Sequence, residues 1–190
     1  MDRFINVLIF CITLPVVLRY FHRDGTWSLK NGASAFRFFT VQSNVFCAVA
    51  SLLMALAPEA GWAWTLKYVG TAAVTVTMLT VFVFLGPTQG YKKLLSGADF
   101  FLHLLTPLLA IFSFCVYEKR PMSFGTAMLG MLPVLLYGTL YLYKVIHAPE
   151  GKRWEDFYGF NKGGKWPIAF TLMLLGCFMI CMAFMLIQNR

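Results

Sequence analysis

Charge is what this sequence most lacks: only 13% of its 190 residues are charged, and just 8 of them are acidic. A soluble domain carries about 25% charged residues. Hydrophobic residues instead make up 59% of the chain, and aromatic residues make up 17%. This composition excludes soluble globular, disordered and collagen-like classes, and it favours a protein that folds in a lipid bilayer.

Several site-forming patterns are also missing. The 3 His and 5 Cys show no metal-ligand spacing, and no glycine-rich loop suited to a phosphate is found. All five Cys lie inside apolar runs, which argues against a disulfide framework. The net charge of +8 comes from Lys and Arg in short gaps between apolar runs, where they contact lipid headgroups. We therefore expect membrane lipids as partners, with no metal, no cofactor and no nucleic acid.

Long apolar runs dominate what is present. A bilayer span needs about 20 mostly apolar residues, and about six such runs occur: residues 4–20, 36–57, 64–85, 94–117, 124–146 and 165–188. They lack the alternating pattern of a membrane barrel. The longest gap, 147–164, is too short to fold alone. The sequence predicts an all-α integral membrane protein, with about six transmembrane helices in a single bundle and one membrane domain over 1–190.

The positive charges are unequally divided between the two ends of such a bundle. Eleven of the 16 Lys and Arg lie on the side of the first, third and fifth gaps. Lys67 is one of the five that we assign to the opposite side. By the positive-inside rule, the odd gaps are cytoplasmic and both termini are outside.

Two of the apolar runs carry polar side chains on one helix face. In the second run, Thr40, Ser43 and Asn44 fall within an arc of about 100° at helical spacing, and Arg37 precedes them by one turn. In the fourth run, Asp99 and His103 are four residues apart. A carboxylate so placed can accept an imidazole N–H and leave the other ring nitrogen free as a base. Hydrogen bonding between helices would also account for both faces.

If the polar faces of the second and fourth runs pack against each other, a hydroxyl lies beside an imidazole. This arrangement activates an alcohol nucleophile. Thr40 and Ser43 are both candidates, and Asn44 could donate an amide N–H to an oxyanion. The fifth run presents Tyr137, Tyr141 and Lys144 on one face. That face fits either a substrate carboxylate or an interfacial anchor.

Three short features resemble a known family. They are Phe39-Thr40 opening the second run, His103 followed by Pro107, and the motif FYGF at 157–160. Together with the six-span layout, they resemble the androgen-induced family of integral membrane threonine hydrolases, including its small bacterial relatives. Human members cleave fatty acid esters of hydroxy fatty acids. The resemblance implies that Thr40 is the nucleophile and His103 the base, in a bacterial cytoplasmic membrane.

The resulting hypothesis is an intramembrane lipid ester hydrolase that works through an acyl-enzyme on Thr40. Asn44 and Ser43 are expected to polarise the carbonyl, Asp99 to orient His103, and Arg37, Tyr137, Tyr141 and Lys144 to bind the substrate. Two alternatives stay open at this stage. One is a lipid acyltransferase with the same site, and the other is a non-catalytic lipid-binding or transport protein.

Overall fold

Six helices in the computed structural model, which describes residues 1–23 and 25–190, are long and apolar enough to cross a membrane. In order, the first to sixth spans are Asp2–Phe21, Phe39–Leu56, Gly61–Gln89, Ala98–Val116, Phe124–His147 and Trp166–Gln188. Their limits lie within four residues of those expected from the apolar runs. The prediction of an all-α bundle with six membrane-spanning helices is confirmed.

Most spans combine α-helix with shorter turns of other helix types. Their α-helical parts are Asp2–Leu18, Phe39–Leu56, Gly61–Leu79, Gly86–Gln89, Ala98–Phe100, Thr106–Val116, Phe124–Leu129, Leu132–Leu142 and Trp166–Gln188. Two π-helical segments, Thr80–Leu85 and Phe101–Leu105, interrupt the third and fourth spans, and a third, Tyr143–His147, ends the fifth. Such π segments are rare and often occur at functional sites.

Short elements connect the spans. The first span ends in a 3₁₀ turn, Arg19–Phe21, and the strands His22–Arg23 and Thr26–Trp27 pair antiparallel after it. The remaining connecting helices are Leu29–Ala35, Tyr91–Leu94 and the 3₁₀ turn Lys162–Gly164.

The second and third spans form the centre of the bundle. The second packs against both the first and the third, and the third also contacts the fourth and the sixth. Small residues allow this close approach: a Cβ on Gly70 would come within 2.9 Å of the Cys47 backbone. The sixth span lies at the periphery, where Leu172 and Met179 remain 62% and 61% exposed. Its outer face is suited to contact lipid tails.

One buried charge departs from the sequence interpretation. Lys67, counted above among the charges on one side of the membrane, is fully buried in the third span. Its ammonium group donates to the Ser51 hydroxyl at 2.9 Å. The charge asymmetry therefore becomes eleven against four once this residue is removed from the count.

Candidate active site

Thr40 lies in the first turn of the second span. Phe38 caps that helix in an extended conformation (φ −92°, ψ 132°), so Phe39 is the first helical residue and Thr40 the second. The first amide N–H groups of a helix have no partners within it, and they carry its positive dipole end. Thr40 is half-buried at the end of the bundle. Its hydroxyl therefore lies near the positive end of a helix dipole, which favours negative charge.

His103 lies in the π-helical segment Phe101–Leu105 and is 7% exposed. Pro107 follows within one turn and has no N–H with which to continue a regular helical ladder. Before this segment the chain turns back at Gly97, whose φ of +58° suits glycine. This turn brings the Leu94 carbonyl within 2.7 Å of His103 Nδ1.

The hydroxyl of Thr40 meets the other ring nitrogen of this histidine. Thr40 Oγ1 lies 3.4 Å from His103 Nε2. Because a carbonyl only accepts, Nδ1 carries the proton that is donated to Leu94, and in this tautomer Nε2 presents an acceptor lone pair. The Thr40 hydroxyl donates to that lone pair. This distance is slightly longer than the usual 2.6 to about 3.2 Å, as is common in catalytic pairs before substrate binds.

A narrow cavity of about 30 Å³ opens beside Thr40. Its polar lining comes from Thr40, Thr77, Thr80 and three tyrosines, and the rest is apolar. A cavity of this size admits one or two water molecules, since about 10 to 15 Å³ is needed for one. The nucleophile candidate therefore borders a small, largely apolar chamber with room for a reacting carbonyl or a water.

A larger apolar groove of about 590 Å³ adjoins this cavity between the third and sixth spans. Four residues line both spaces: Val76, Thr80, Phe160 and Met173. Beyond them the groove is almost wholly apolar and is bounded by the lipid-facing side of the sixth span. An extended hydrocarbon chain is the ligand that such a surface suits.

Tyr158, which precedes the sixth span, reaches the start of the second span. Its hydroxyl oxygen accepts the amide N–H of Phe39 at 3.0 Å, and its ring lines the small cavity together with Thr40. Burial raises the pKa of the Tyr158 hydroxyl, although the hydrogen bond from the Phe39 amide opposes this effect. The phenol consequently stays protonated at neutral pH.

The loop that carries Tyr158 is held by one carboxylate. Asp156 accepts the Tyr141 hydroxyl at 2.7 Å, the Phe160 amide at 2.9 Å and the Asn161 amide at 2.8 Å. The Tyr158 amide donates in turn to the Tyr141 hydroxyl at 3.1 Å. Sequence analysis did not assign Tyr158 to the site. Its place in the FYGF motif was the one available signal.

Asn44 and Ser43 lie near Thr40 but have other partners. The Asn44 amide nitrogen donates to the carbonyls of Thr40 at 2.8 Å and Leu102 at 3.0 Å. Both of its N–H groups are thus used, so the expected donation to an oxyanion is not available in this arrangement. Ser43 bonds to the Thr77 hydroxyl at 2.8 Å and to the Thr40 carbonyl at 3.2 Å. These two residues join helices instead of lining the cavity.

Asp99 does not orient His103. Its carboxylate accepts the Tyr20 hydroxyl at 3.5 Å, and the Leu94 carbonyl occupies the position at Nδ1 that the carboxylate was expected to take. The four-residue spacing fails as a guide here because the chain departs from regular α-helix between the two residues, at Phe101.

The four residues expected to bind a substrate carboxylate are differently engaged. Tyr137 and Tyr141 line the cavity, but their hydroxyls donate to the Arg37 carbonyl and to Asp156, both at 2.7 Å. The exposed Arg37 guanidinium lies over the rings of Phe38 and Phe157 at 4.9 and 5.9 Å, an interfacial cation–π cluster. Lys144 is half-buried and does not line the cavity.

Within residues 1–23 and 25–190, no group of three His, Cys, Asp or Glu side chains is placed to hold a metal ion. Comparison of the chain with family models, with curated proteins and with solved structures finds no match.

Proposed function

We propose that this protein is an intramembrane carboxylic ester hydrolase that cleaves lipid esters with Thr40 as nucleophile and His103 as general base. The observation that carries the proposal is the contact between Thr40 Oγ1 and His103 Nε2, at 3.4 Å, with Nδ1 fixed by the Leu94 carbonyl. A weak alcohol nucleophile requires such an adjacent base in the correct tautomer.

In the proposed reaction, Thr40 Oγ1 bonds to the ester carbonyl carbon while its proton passes to His103 Nε2. The tetrahedral intermediate then collapses, the bond to the alkoxy oxygen breaks, and His103 returns the proton to the leaving alcohol. A water molecule, deprotonated by the same nitrogen, then attacks the acyl carbon; the bond to Thr40 Oγ1 breaks, and His103 returns the proton to that oxygen as the fatty acid leaves. The start of the second span favours the negative charge that develops at the carbonyl oxygen.

The apolar groove supports a lipid as the substrate. Because the groove adjoins the cavity beside Thr40, it would allow an acyl chain to enter from the bilayer, with its ester carbonyl at the end of the bundle. Fatty acid esters of hydroxy fatty acids would fit this arrangement. We also propose membership of the androgen-induced family and a bacterial cytoplasmic membrane as the location, on the resemblance of the Thr40, His103 and FYGF positions.

Labelling with a fluorophosphonate probe tests the activated hydroxyl in detergent-purified protein. We expect the wild type to be labelled, and Thr40→Ala and His103→Ala to lose labelling while they remain folded. Ser43→Ala is the matched control, because it removes a neighbouring hydroxyl of the same helix that does not contact His103. Absence of labelling in folded wild-type protein would reject the proposal and favour a lipid-binding or transport role.

Hydrolysis and acyl transfer differ in what releases the acyl group. Purified protein given a long-chain p-nitrophenyl ester should liberate both nitrophenol and free fatty acid. A requirement for an added lipid alcohol would identify the same site as that of an acyltransferase.

A further inference from the structure

We propose that the Tyr158 hydroxyl donates the hydrogen bond that stabilises the oxyanion formed during attack by Thr40. This inference rests on the proposed esterase function and adds a catalytic residue to it. The residue comes from the loop before the sixth span, 118 positions away from Thr40 along the chain.

Tyr158 lies where such a donor is needed. Its hydroxyl and the Thr40 side chain border the same cavity of about 30 Å³, and the two groups are close enough to interact. The hydroxyl oxygen already accepts the Phe39 amide N–H at 3.0 Å. The hydroxyls of Thr40 and Tyr137 lie beside it. Among the described residues, its own proton makes no hydrogen bond of regular geometry, so a carbonyl oxygen that enters the cavity can accept it.

The amide of Phe39 strengthens this donor. A hydroxyl that accepts a hydrogen bond is polarised and donates a stronger one in turn, and the effect grows where water is excluded. Phe39 is also the first residue of the second span, so its N–H carries part of the positive dipole end of that helix. Phe39 therefore acts as a positioning residue: its N–H polarises the Tyr158 hydroxyl, which in turn donates to the oxyanion.

The donor is held in place before the substrate arrives. Asp156 fixes the loop through three hydrogen bonds, and the Tyr141 hydroxyl anchors the Tyr158 amide. The Tyr158 ring packs against those of Phe157 and Tyr141, with centroids 4.7 and 5.2 Å away. Preorganised donors of this kind need no rearrangement at the moment of reaction, which is why they contribute strongly to rate.

The chemical step is balanced without a further reactant. As the Thr40 oxygen bonds to the carbonyl carbon, the electron pair of the C=O π bond moves onto the carbonyl oxygen, and the Tyr158 O–H donates to it. Collapse of the intermediate restores the C=O bond and leaves the proton on Tyr158. Asn44, whose N–H groups serve backbone carbonyls, is not needed for this role.

Tyr158→Phe tests the donor with the least change in packing. We expect kcat for a p-nitrophenyl ester to fall about 100-fold to 1,000-fold with KM within threefold of wild type. Binding of an alkyl trifluoromethyl ketone, which forms an oxyanion on the nucleophile, should weaken by a similar factor. The methyl ketone of equal chain length, which is poorly attacked, should bind unchanged. The matched control is Tyr68→Phe, which removes a buried tyrosine hydroxyl bonded to the Ala127 carbonyl at 2.6 Å.

Phe39→Pro tests the supporting amide. Proline is favoured at the first helical position, and Phe38 already has the extended conformation that a residue before proline requires. Both Phe39→Pro and Phe39→Ala lose the ring contact with Tyr137, in which the two ring centroids are 5.1 Å apart. Only Phe39→Ala retains the backbone N–H, so it is the matched control. Relative to Phe39→Ala, we expect Phe39→Pro to bind the trifluoromethyl ketone about fivefold to tenfold more weakly.

The results separate failure of this inference from failure of the proposed function. An unlabelled, inactive wild type would remove the esterase proposal itself. An active wild type that depends on Thr40, combined with unchanged kcat in Tyr158→Phe, would overturn the oxyanion role alone. Equal weakening of both ketones in Tyr158→Phe would also overturn it, because it would indicate general damage to the pocket.

Discussion

Thr40 and His103 meet at the same end of the bundle, with the threonine hydroxyl 3.4 Å from the Nε2 atom of the imidazole. The other ring nitrogen donates to a main-chain carbonyl, that of Leu94, at 2.7 Å. A backbone carbonyl fixes the tautomer as a carboxylate would, without burying a second charge. The proposed base therefore needs no acidic partner, and this distinguishes it from a Ser-His-Asp arrangement.

The first prediction concerns the two residues of the fourth span that sequence analysis paired. Asp99→Asn should keep ester hydrolysis within about twofold of wild type, because its carboxylate contacts Tyr20 and not His103. His103→Gln should lower kcat by about 100-fold to 10,000-fold through loss of the general base. Both values are obtained from initial rates on a p-nitrophenyl ester. A loss in Asp99→Asn as large as that in His103→Gln would contradict the assignment to the Leu94 carbonyl.

The bundle was predictable because its signals are local. Hydropathy alone located all six spans, and helical periodicity placed Thr40 and His103 on inward faces. The partners of these residues were not predictable in the same way. Every residue has a backbone carbonyl, so the sequence does not show that Leu94 supplies the one that contacts His103. Tyr158 approaches Thr40 because Asp156 shapes a loop that is distant from Thr40 in sequence.

Asn44 illustrates a different limit. Spacing correctly gave its position beside Thr40, but the direction of an amide depends on which acceptors the neighbouring helix exposes. The π segment and Pro107 leave the Leu102 carbonyl without a regular helical donor, and Asn44 fills that place. The alternative considered from the sequence, that Asn44 forms a hydrogen bond between helices, agrees with its contact to the Leu102 carbonyl.

The second prediction follows for Asn44→Ala. Loss of its amide leaves the buried Leu102 carbonyl unsatisfied, which should lower the free energy of unfolding by about 1 to 3 kcal/mol. Thermal unfolding in detergent measures this change. Thr139→Val is a suitable control, because Thr139 is exposed and bonds only to the Leu135 carbonyl in its own helix. Equal effects of the two substitutions would argue against a bridging role for Asn44.

The third prediction concerns the apolar groove. A Cβ on Gly176 would meet no atom within 4 Å, so Gly176→Phe should fold while its ring fills the groove. Hydrolysis of a palmitoyl ester should fall by about tenfold or more, whereas hydrolysis of an acetyl ester should not change. The ratio of the two kcat/KM values is the measurement.

Leu175→Phe supplies the control for added bulk on the same helix. Leu175 is 53% exposed and does not line the groove. An unchanged chain-length ratio in Gly176→Phe would place the acyl chain elsewhere, and the same shift in both variants would indicate a general effect on the sixth span.

The fourth prediction concerns a polar cluster at the end of the bundle opposite Thr40. Lys67 lies near the Glu118 carboxylate, which accepts the Asn6 amide at 2.6 Å and the Ser113 hydroxyl. Lys67 and Glu118 are 0% and 3% exposed and form no direct ion pair, so their charges interact at longer range inside the bundle. Glu118→Gln should therefore lower the free energy of unfolding by about 1 to 3 kcal/mol, because Asn6 and Ser113 lose a charged acceptor and the buried ammonium loses a nearby carboxylate.

Removal of both charges distinguishes this electrostatic cause from lost packing. The double variant Lys67→Met with Glu118→Gln should recover part of the stability lost in Glu118→Gln alone, since the buried ammonium is removed as well. Glu59→Gln, at an exposed position, should have little effect and serves as the control. Chemical denaturation in detergent micelles gives all four stabilities. If the double variant were less stable than Glu118→Gln, the two charges would not compensate each other, and the cluster would instead act through its separate hydrogen bonds.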